Sequence, residues 1–167
     1  MFDKFGEFDS VEELNEEARK LKEAGDEDRL KELCEENGID IEDAEDYMDG
    51  CFEELTNTSL AAVGKLKVEI KDLKLEKILK DWADELQGEC VSSEEMARAV
   101  RRKGKNLAGY LAMLADAGFK DKTVVCRKIV DKCSGDLKKI VGSHEFYIGV
   151  PDKAERRKIM SGYYLGK

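Results

Sequence analysis

Apolar residues recur every three or four positions through the first fifty residues of the chain, the spacing of one helix face. Three such patterns run over residues 10–25, 26–38 and 40–50, and each begins at a Ser or Asp that can cap a helix and ends at a Gly. In the first, "SVEE" also forms a capping box. The pattern therefore predicts a compact module of three short helices joined by tight loops.

A longer helical pattern follows, from Leu55 to Leu86. Its apolar positions advance by three or four residues through Leu60, Val63, Leu66, Ile70 and Leu73. Lys77 interrupts this seam before it resumes, so a sustained heptad coiled coil is not predicted, and Gly64 is a candidate bend. We interpret the segment as one long helix that forms the spine of a bundle. A dimerisation helix is the alternative.

The last third of the chain predicts shorter elements. Helices are expected from Ser92 or Ser93 to the turn at Gly104, over 107–118 and 122–133, and after Asp152. Between the last two, "HEFYIGVP" has the aromatic and β-branched content of a short strand or extended arm.

These patterns predict a mostly α-helical bundle with a long central helix, an acidic three-helix module at the N-terminus and a short strand or arm near the C-terminus. Charged residues make up 40% of the chain, which favours solvated helices over a thick β-sandwich. The predicted division is an acidic helical module over 1–55, a long connecting helix over 56–90 and a basic helical domain over 91–167.

Charge is distributed unevenly along the chain, whose formal net charge is -9. Residues 1–55 contain 22 Asp and Glu against six Lys and Arg, whereas bases outnumber acids in the remainder. Such asymmetry suggests an interaction protein with two electrostatic faces, or two halves that attract each other. The acids fit helix-surface spacing and not an EF-hand loop. The candidate acidic docking face is Glu35, Glu36, Asp40, Glu42, Asp43 and Asp46.

Two basic runs interrupt this acidic character. We interpret both as candidate nucleic-acid or anion contacts. For the first run the alternatives are helix-dipole complementation or contact with an acidic protein patch, and for the second the alternative is a basic amphipathic helix whose Ile159, Met160 and tyrosines pack on the core. The residues concerned are Arg98, Arg101, Arg102, Lys103, Lys105, Arg156, Arg157 and Lys158. The first run, a turn and "NLAGYLAMLADAG" have a helix-turn-helix outline, but the second helix is too apolar to read base edges. Docking is therefore favoured over sequence readout.

Chemistry-bearing motifs are sparse. The five cysteines form no C-x-x-C pair and are expected to be reduced core residues in a cytoplasmic protein. His144 is the only histidine, and no nucleophile–base pair, metal-ligand set or phosphate-binding loop accompanies it. The N-terminal sequence lacks the pattern of a signal peptide, and no stretch is apolar enough to span a bilayer. We expect neither enzymatic activity, nor a metal, a cofactor or membrane contact.

The opening fifty residues, the central "VRRKGKNLAGYL" and the ending "YYLGK" resemble small acidic accessory proteins carried by phages and conjugative elements of gut bacteria. Members of that group are similar to anti-CRISPR inhibitors of type II effector nucleases. The resemblance implies a non-enzymatic inhibitor that docks on a CRISPR effector nuclease or its guide complex in the cytoplasm of a bacterial host cell. It implies no catalytic residues.

Two other functions stay open at this point. A DNA-binding accessory or regulatory protein of a mobile element would use the two basic runs on DNA or RNA. A structural helical protein would use its opposite charges to hold its own halves together, or to form a homodimer. Nucleic-acid binding by the isolated chain would distinguish the first of these from the second.

Overall fold

The computed structural model describes residues 2–167, and helices dominate it, which confirms the predicted mostly α-helical bundle. The α-helices of this part of the chain are α1 (Val11–Ala24), α2 (Glu27–Asn37), α3 (Ile41–Met48), α4 (Thr58–Asp72), α5 (Lys77–Ser92), α6 (Glu94–Arg101), α7 (Leu107–Lys120), α8 (Arg127–Val130), α9 (Gly135–Val141) and α10 (Lys153–Met160). A π-helix (Ser161–Leu165) follows α10 directly, and two short strands, β1 (Thr123–Val124) and β2 (Tyr147–Ile148), form one antiparallel pair. None of the helices described is both long and apolar enough to cross a membrane.

The predicted N-terminal three-helix module is present as α1, α2 and α3. Ser10 accepts a hydrogen bond from the Glu13 backbone N–H, and Asp26 accepts one from Arg29, so both caps work as their sequences indicate. Gly25 ends α1 in the left-handed region, with φ at 67°. The apolar faces of the three helices meet in one buried cluster that includes Leu14, Leu33, Tyr47, Leu55 and Ala61. This cluster reaches the first turn of α4.

The predicted long central helix is wrong, because the chain turns between α4 and α5. The last carbonyls of α4 accept hydrogen bonds from the backbone N–H groups of Leu73, Lys74 and Leu75. Lys74 and Lys77 then adopt φ values of 50° and 52°, a left-handed conformation that ends a helix. The turn lets α5 fold back against α4, and both helices pack against α6.

Gly64 does not interrupt α4. It lies where α4 crosses the end of α2, and a Cβ atom at Gly64 would overlap the Asn37 carbonyl oxygen. A Cβ at Gly38 would likewise overlap the Gly64 carbonyl. The two glycines therefore let two helix backbones touch, which joins the N-terminal module to the rest of the bundle.

A second buried cluster lies among α4–α7, α10 and the π-helix. It includes Leu66, Leu86, Val100, Tyr110 and Tyr164. The middle segment predicted as a connector thus contributes α4 and α5 to this core. The three-part domain division itself stays a prediction.

The segment between α7 and α10 forms a small lobe. β1 pairs with β2, with Thr123 opposite Ile148, so the short strand expected in "HEFYIGVP" is confirmed. The helix predicted over 122–133 is wrong: β1 takes its first half and α8 only four residues of the second. Within α8 Val130 is buried, whereas its neighbour Ile129 is 58% exposed.

Candidate docking surfaces

The chain between Lys31 and Lys65 contains eleven acids and no Lys or Arg. It spans the end of α2, all of α3 and the loop before α4, and α3 buries Ala44 and Tyr47 while turning its carboxylates to solvent. Eight of these acids form a set that we call the acidic surface: Glu35, Asp40, Glu42, Asp43, Asp46, Asp49, Glu53 and Glu54. Within residues 2–167 no ion pair neutralises any of these eight.

Five of the six acids predicted for docking belong to this surface, and Glu36 does not. Both oxygens of the Glu36 carboxylate accept backbone N–H groups, from Lys4 at 2.8 Å and from Phe5 at 3.0 Å. Glu36 thus holds the N-terminal segment against α2. Asp40 was expected to cap α3, but its side chain makes no capping hydrogen bond and is exposed.

An apolar groove adjoins the acidic surface. It has a volume of about 380 Å³, and its walls include Phe52 and Leu60, which are 49% and 56% exposed, together with the carboxylates of Asp43, Glu53 and Glu54. Sequence reasoning placed Leu60 in the seam of the long helix and passed over Phe52. Exposed aromatic and aliphatic groups ringed by charge are typical of protein-binding sites.

The first basic run is largely used inside the molecule. The Arg98 guanidinium contacts Glu94 at 2.8 Å and Glu12 of α1 at 3.6 Å. The Lys103 backbone N–H donates to Asp9 at 2.9 Å, and its ammonium faces Glu13 at 3.9 Å. These contacts join the end of α6 to the start of α1. Arg102 is exposed.

Arg101 is wrong as a surface contact, because it is only 1% exposed. Its Nη2 donates to the Asn37 Oδ1 at 2.6 Å, and the guanidinium lies 5.9 Å from the Phe8 ring centre. Burial lowers the pKa of Arg101 to about 10, against the opposing effect of nearby carboxylates. Lys105 is also engaged: its ammonium donates to the Tyr163 carbonyl at 2.6 Å and lies over that ring.

The second basic run pairs with α5. Arg156 contacts Glu85 at 2.8 Å and donates to the Pro151 carbonyl at 3.0 Å, and Arg157 faces Glu89 at 3.6 Å. Lys158 is exposed. The two runs therefore serve different packing contacts, the first with α1 and the second with α5.

Sequence reasoning missed a buried polar cluster around Lys65, which is fully buried in α4. Its ammonium contacts the Glu7 carboxylate at 2.5 Å and donates to the carbonyls of Val100, Arg102 and Lys105 at 3.1, 3.3 and 2.8 Å. One turn later Glu69 accepts the Leu107 N–H at 2.8 Å, at the start of α7. The α6–α7 turn is thus held from inside by α4. The only available signal was a Lys and a Glu next to apolar positions of the α4 pattern.

Among residues 2–167, no group of three or more His, Cys, Asp or Glu side chains is arranged to hold a metal ion. The chain matches no family model, no curated protein and no solved structure. The resemblance to mobile-element proteins therefore stays a prediction.

Proposed function

We propose that this protein is a non-enzymatic inhibitor that docks its acidic surface on a positively charged, nucleic-acid-binding channel of a partner protein. The observation that carries the proposal is the acidic surface. Its eight carboxylates, within the uninterrupted run of acids between Lys31 and Lys65, have no ion-pair partner in the described chain, whereas Glu32 and Glu45 of the same run pair with Lys4 and Lys31. Because the sequence resembles accessory proteins of mobile genetic elements, the proposed partner is a CRISPR effector nuclease or its guide complex. The proposed source is a mobile genetic element whose protein acts in the bacterial cytoplasm.

The physical basis of the proposal is mimicry of phosphate. Effector nucleases hold nucleic acid in channels lined by Lys and Arg, which bind backbone charge without reading sequence. A helix that presents carboxylates at successive turns offers a similar charge to such a channel, and long-range attraction raises the association rate. Phe52 and Leu60 in the adjoining groove supply apolar anchors, since charge alone gives little net affinity across an interface.

The basic runs support the DNA-binding alternative less well. Arg101 is buried, and Arg98, Lys105, Arg156 and Arg157 already have partners in the bundle. A nucleic-acid backbone long enough to contact both basic runs would have to displace their contacts with α1, α5 and the π-helix. The same contacts favour the explanation in which acids and bases of one chain neutralise each other where its helices meet.

The test uses a purified type II effector, with and without guide RNA, and measures both binding and target cleavage. In the test variant Glu42→Lys/Asp46→Lys, two unpaired acids of α3 are reversed. The matched control Asp81→Lys/Asp116→Lys makes the same charge change at exposed acids of α5 and α7. We expect the wild type and the control to bind and inhibit. The α3 variant should bind at least about tenfold more weakly, the loss of affinity corresponding to about 1.4 kcal/mol.

The salt dependence of binding and a test of nucleic-acid binding complete the design. Affinity for the effector should fall as salt rises, because the proposed contact is electrostatic. Equal binding by the α3 variant and the control, or no binding by the wild type, would contradict the proposal. Binding of the isolated chain to plain duplex DNA, lost in Arg102→Glu, would favour the accessory DNA-binding function instead. Size-exclusion chromatography of the chain alone tests the homodimer.

A further inference from the structure

A small pocket of about 200 Å³ lies where the start of α1, the start of α4 and the end of α6 meet. Three arginines from the α6 end line it, Arg98, Arg101 and Arg102, and two hydroxyl residues, Ser10 and Thr58, face them from the helix starts. The pocket is separate from the acidic surface, which is built by α3 and the loops beside it.

Arg101 is the decisive residue of this pocket. It is 1% exposed, and only its Nη2 has a partner, the Asn37 Oδ1. The Nε and Nη1 atoms are buried and donate to nothing in the described chain. Buried guanidinium donors normally find acceptors, and leaving them unpaired is costly. Two N–H donors of Arg101, one of the residues that line the pocket, therefore lack acceptor oxygens.

The surrounding backbone has the polarity that an anion requires. α1 has 14 residues and α4 has 15, and the positive ends of both helix dipoles point toward the pocket from Val11 and Thr58. Two acids also line it, but each is engaged: Asp9 accepts the Lys103 N–H, and Glu12 faces Arg98. Three guanidinium groups and two carboxylates line the pocket, while Glu7, Glu13 and Glu69 also act on Arg101 and Glu94 pairs with Arg98 from outside the lining.

We propose that this pocket binds a single small oxyanion of the phosphate class, either free phosphate or the terminal phosphate group of an ester. The anion accepts the hydrogen bonds that Arg101 does not make within the chain, and Arg102, Ser10 and Thr58 surround it. The volume limits the ligand to about one such group, because pockets for drug-sized molecules range from roughly 300 to 1,000 Å³. This inference goes beyond the proposed docking function and does not depend on it.

The test is calorimetric titration of the full-length chain with inorganic phosphate, with sodium chloride at matched ionic strength as the reference. The expected result is saturable 1:1 binding and a phosphate-dependent rise in Tm that chloride does not reproduce. Arg102→Gln and Thr58→Val alter lining residues that are not buried, so both variants are expected to fold. Arg102→Gln should weaken binding about tenfold or more, since it removes a charged donor beside the anion. Thr58→Val should weaken it less.

Arg101→Met should abolish the phosphate effect while Arg127→Gln, which changes an exposed arginine in the small lobe, should leave it unchanged. Comparing phosphate with a nucleoside monophosphate, and a 5′-phosphorylated with an unphosphorylated oligonucleotide, distinguishes the free anion from an ester as the ligand. No saturable binding of any phosphate probe would overturn the proposal. So would an effect that chloride reproduces, or one that Arg102→Gln and Arg127→Gln alter equally.

Discussion

Replacing Lys65 with Met removes the ammonium group that connects α4 to the N-terminal segment and to the α6–α7 turn. The substitution keeps an unbranched side chain of similar length, so the apolar stem still fills its place beside Leu66. It leaves the Glu7 carboxylate and the carbonyls of Val100, Arg102 and Lys105 without their common donor. The lost contacts are the reason to expect a large effect from one residue.

The expected loss in the free energy of unfolding is about 3–5 kcal/mol, the usual result of removing one partner of a buried ion pair. Lys65 is fully buried and its bond to the Val100 carbonyl is buried as well, whereas the bonds to the Arg102 and Lys105 carbonyls are part-buried and the Arg102 carbonyl keeps the Lys105 N–H at 3.3 Å. Glu7 has a side chain that is 27% exposed and regains part of its hydration, which places the estimate nearer the lower end. A loss of this size is a large fraction of the roughly 5–15 kcal/mol that stabilises an ordinary domain.

Urea denaturation followed by circular dichroism measures this change, with the m-value as a check on two-state unfolding. Lys67→Met is the matched control, since Lys67 lies on the exposed face of the same helix and should change stability by no more than about 0.5 kcal/mol. Glu7→Gln should cost less than Lys65→Met, because only one of the four contacts is weakened. A Lys65→Met protein within about 1 kcal/mol of the wild type would refute the reasoning.

Three further predictions concern packing and titration. Gly64→Ala should lower the free energy of unfolding, measured by urea denaturation, by about 1–3 kcal/mol, because the new Cβ would overlap the Asn37 carbonyl. The control Gly88→Ala lies at an exposed helix position with open space and should be neutral or stabilise the protein by up to about 1 kcal/mol. Burial raises the pKa of Cys34 and of Cys90 to about 12, so a thiol reagent at pH 8 should modify these two only after unfolding. The thiols expected to react in the folded protein are Cys51, Cys126 and Cys133; equal rates for all five would contradict this. Burial also raises the pKa of Glu69 from 4.5, so the folded chain binds this proton more tightly and stability falls as pH rises through that range. Urea titrations of Glu69→Gln should show a smaller loss with pH than the wild type, and parallel curves would refute the prediction.

The N-terminal module was predictable because its signals are local. Each helix begins at a residue whose side chain can accept a backbone N–H, and α1 and α2 end at glycines in the left-handed region. The 3–4 spacing of apolar residues then fixes which face is buried. Exposure of the α3 carboxylates follows from the same periodicity, since Ala44 and Tyr47 occupy the inner face.

The break between α4 and α5 could not be predicted in this way. Apolar residues keep helical spacing up to Leu73 and again from Ile78, and no Gly or Pro lies between them. Lys74 and Lys77 adopt a left-handed conformation that the sequence does not demand, and packing of both helices on α6 stabilises the turn. The interruption of the pattern at Lys77 was the one local sign.

The sequence contained a sign that Arg101 is buried, but the neighbouring basic residues obscured it. Arg101 stands one helical turn after Ala97 and next to Val100, both on the buried face of α6, so periodicity alone places it inward. The run of neighbouring bases suggested a shared surface instead. Consecutive residues of a helix point in different directions, and a cluster in sequence is therefore not a cluster on one face.

The asymmetric charge of the chain thus has two separate consequences. Acids of α1 contact bases at the end of α6, and acids of α5 contact bases of α10, so part of the opposing charge is consumed where helices meet. The eight acids of the acidic surface have no such partner within the described chain and direct an uncompensated negative field outward. A partner that approaches from solvent meets this face first, and the residues that hold the bundle together need not move for it to bind. Docking by the acidic surface and anion binding at Arg101 can therefore be disrupted independently, by variants in α3 and at Arg102.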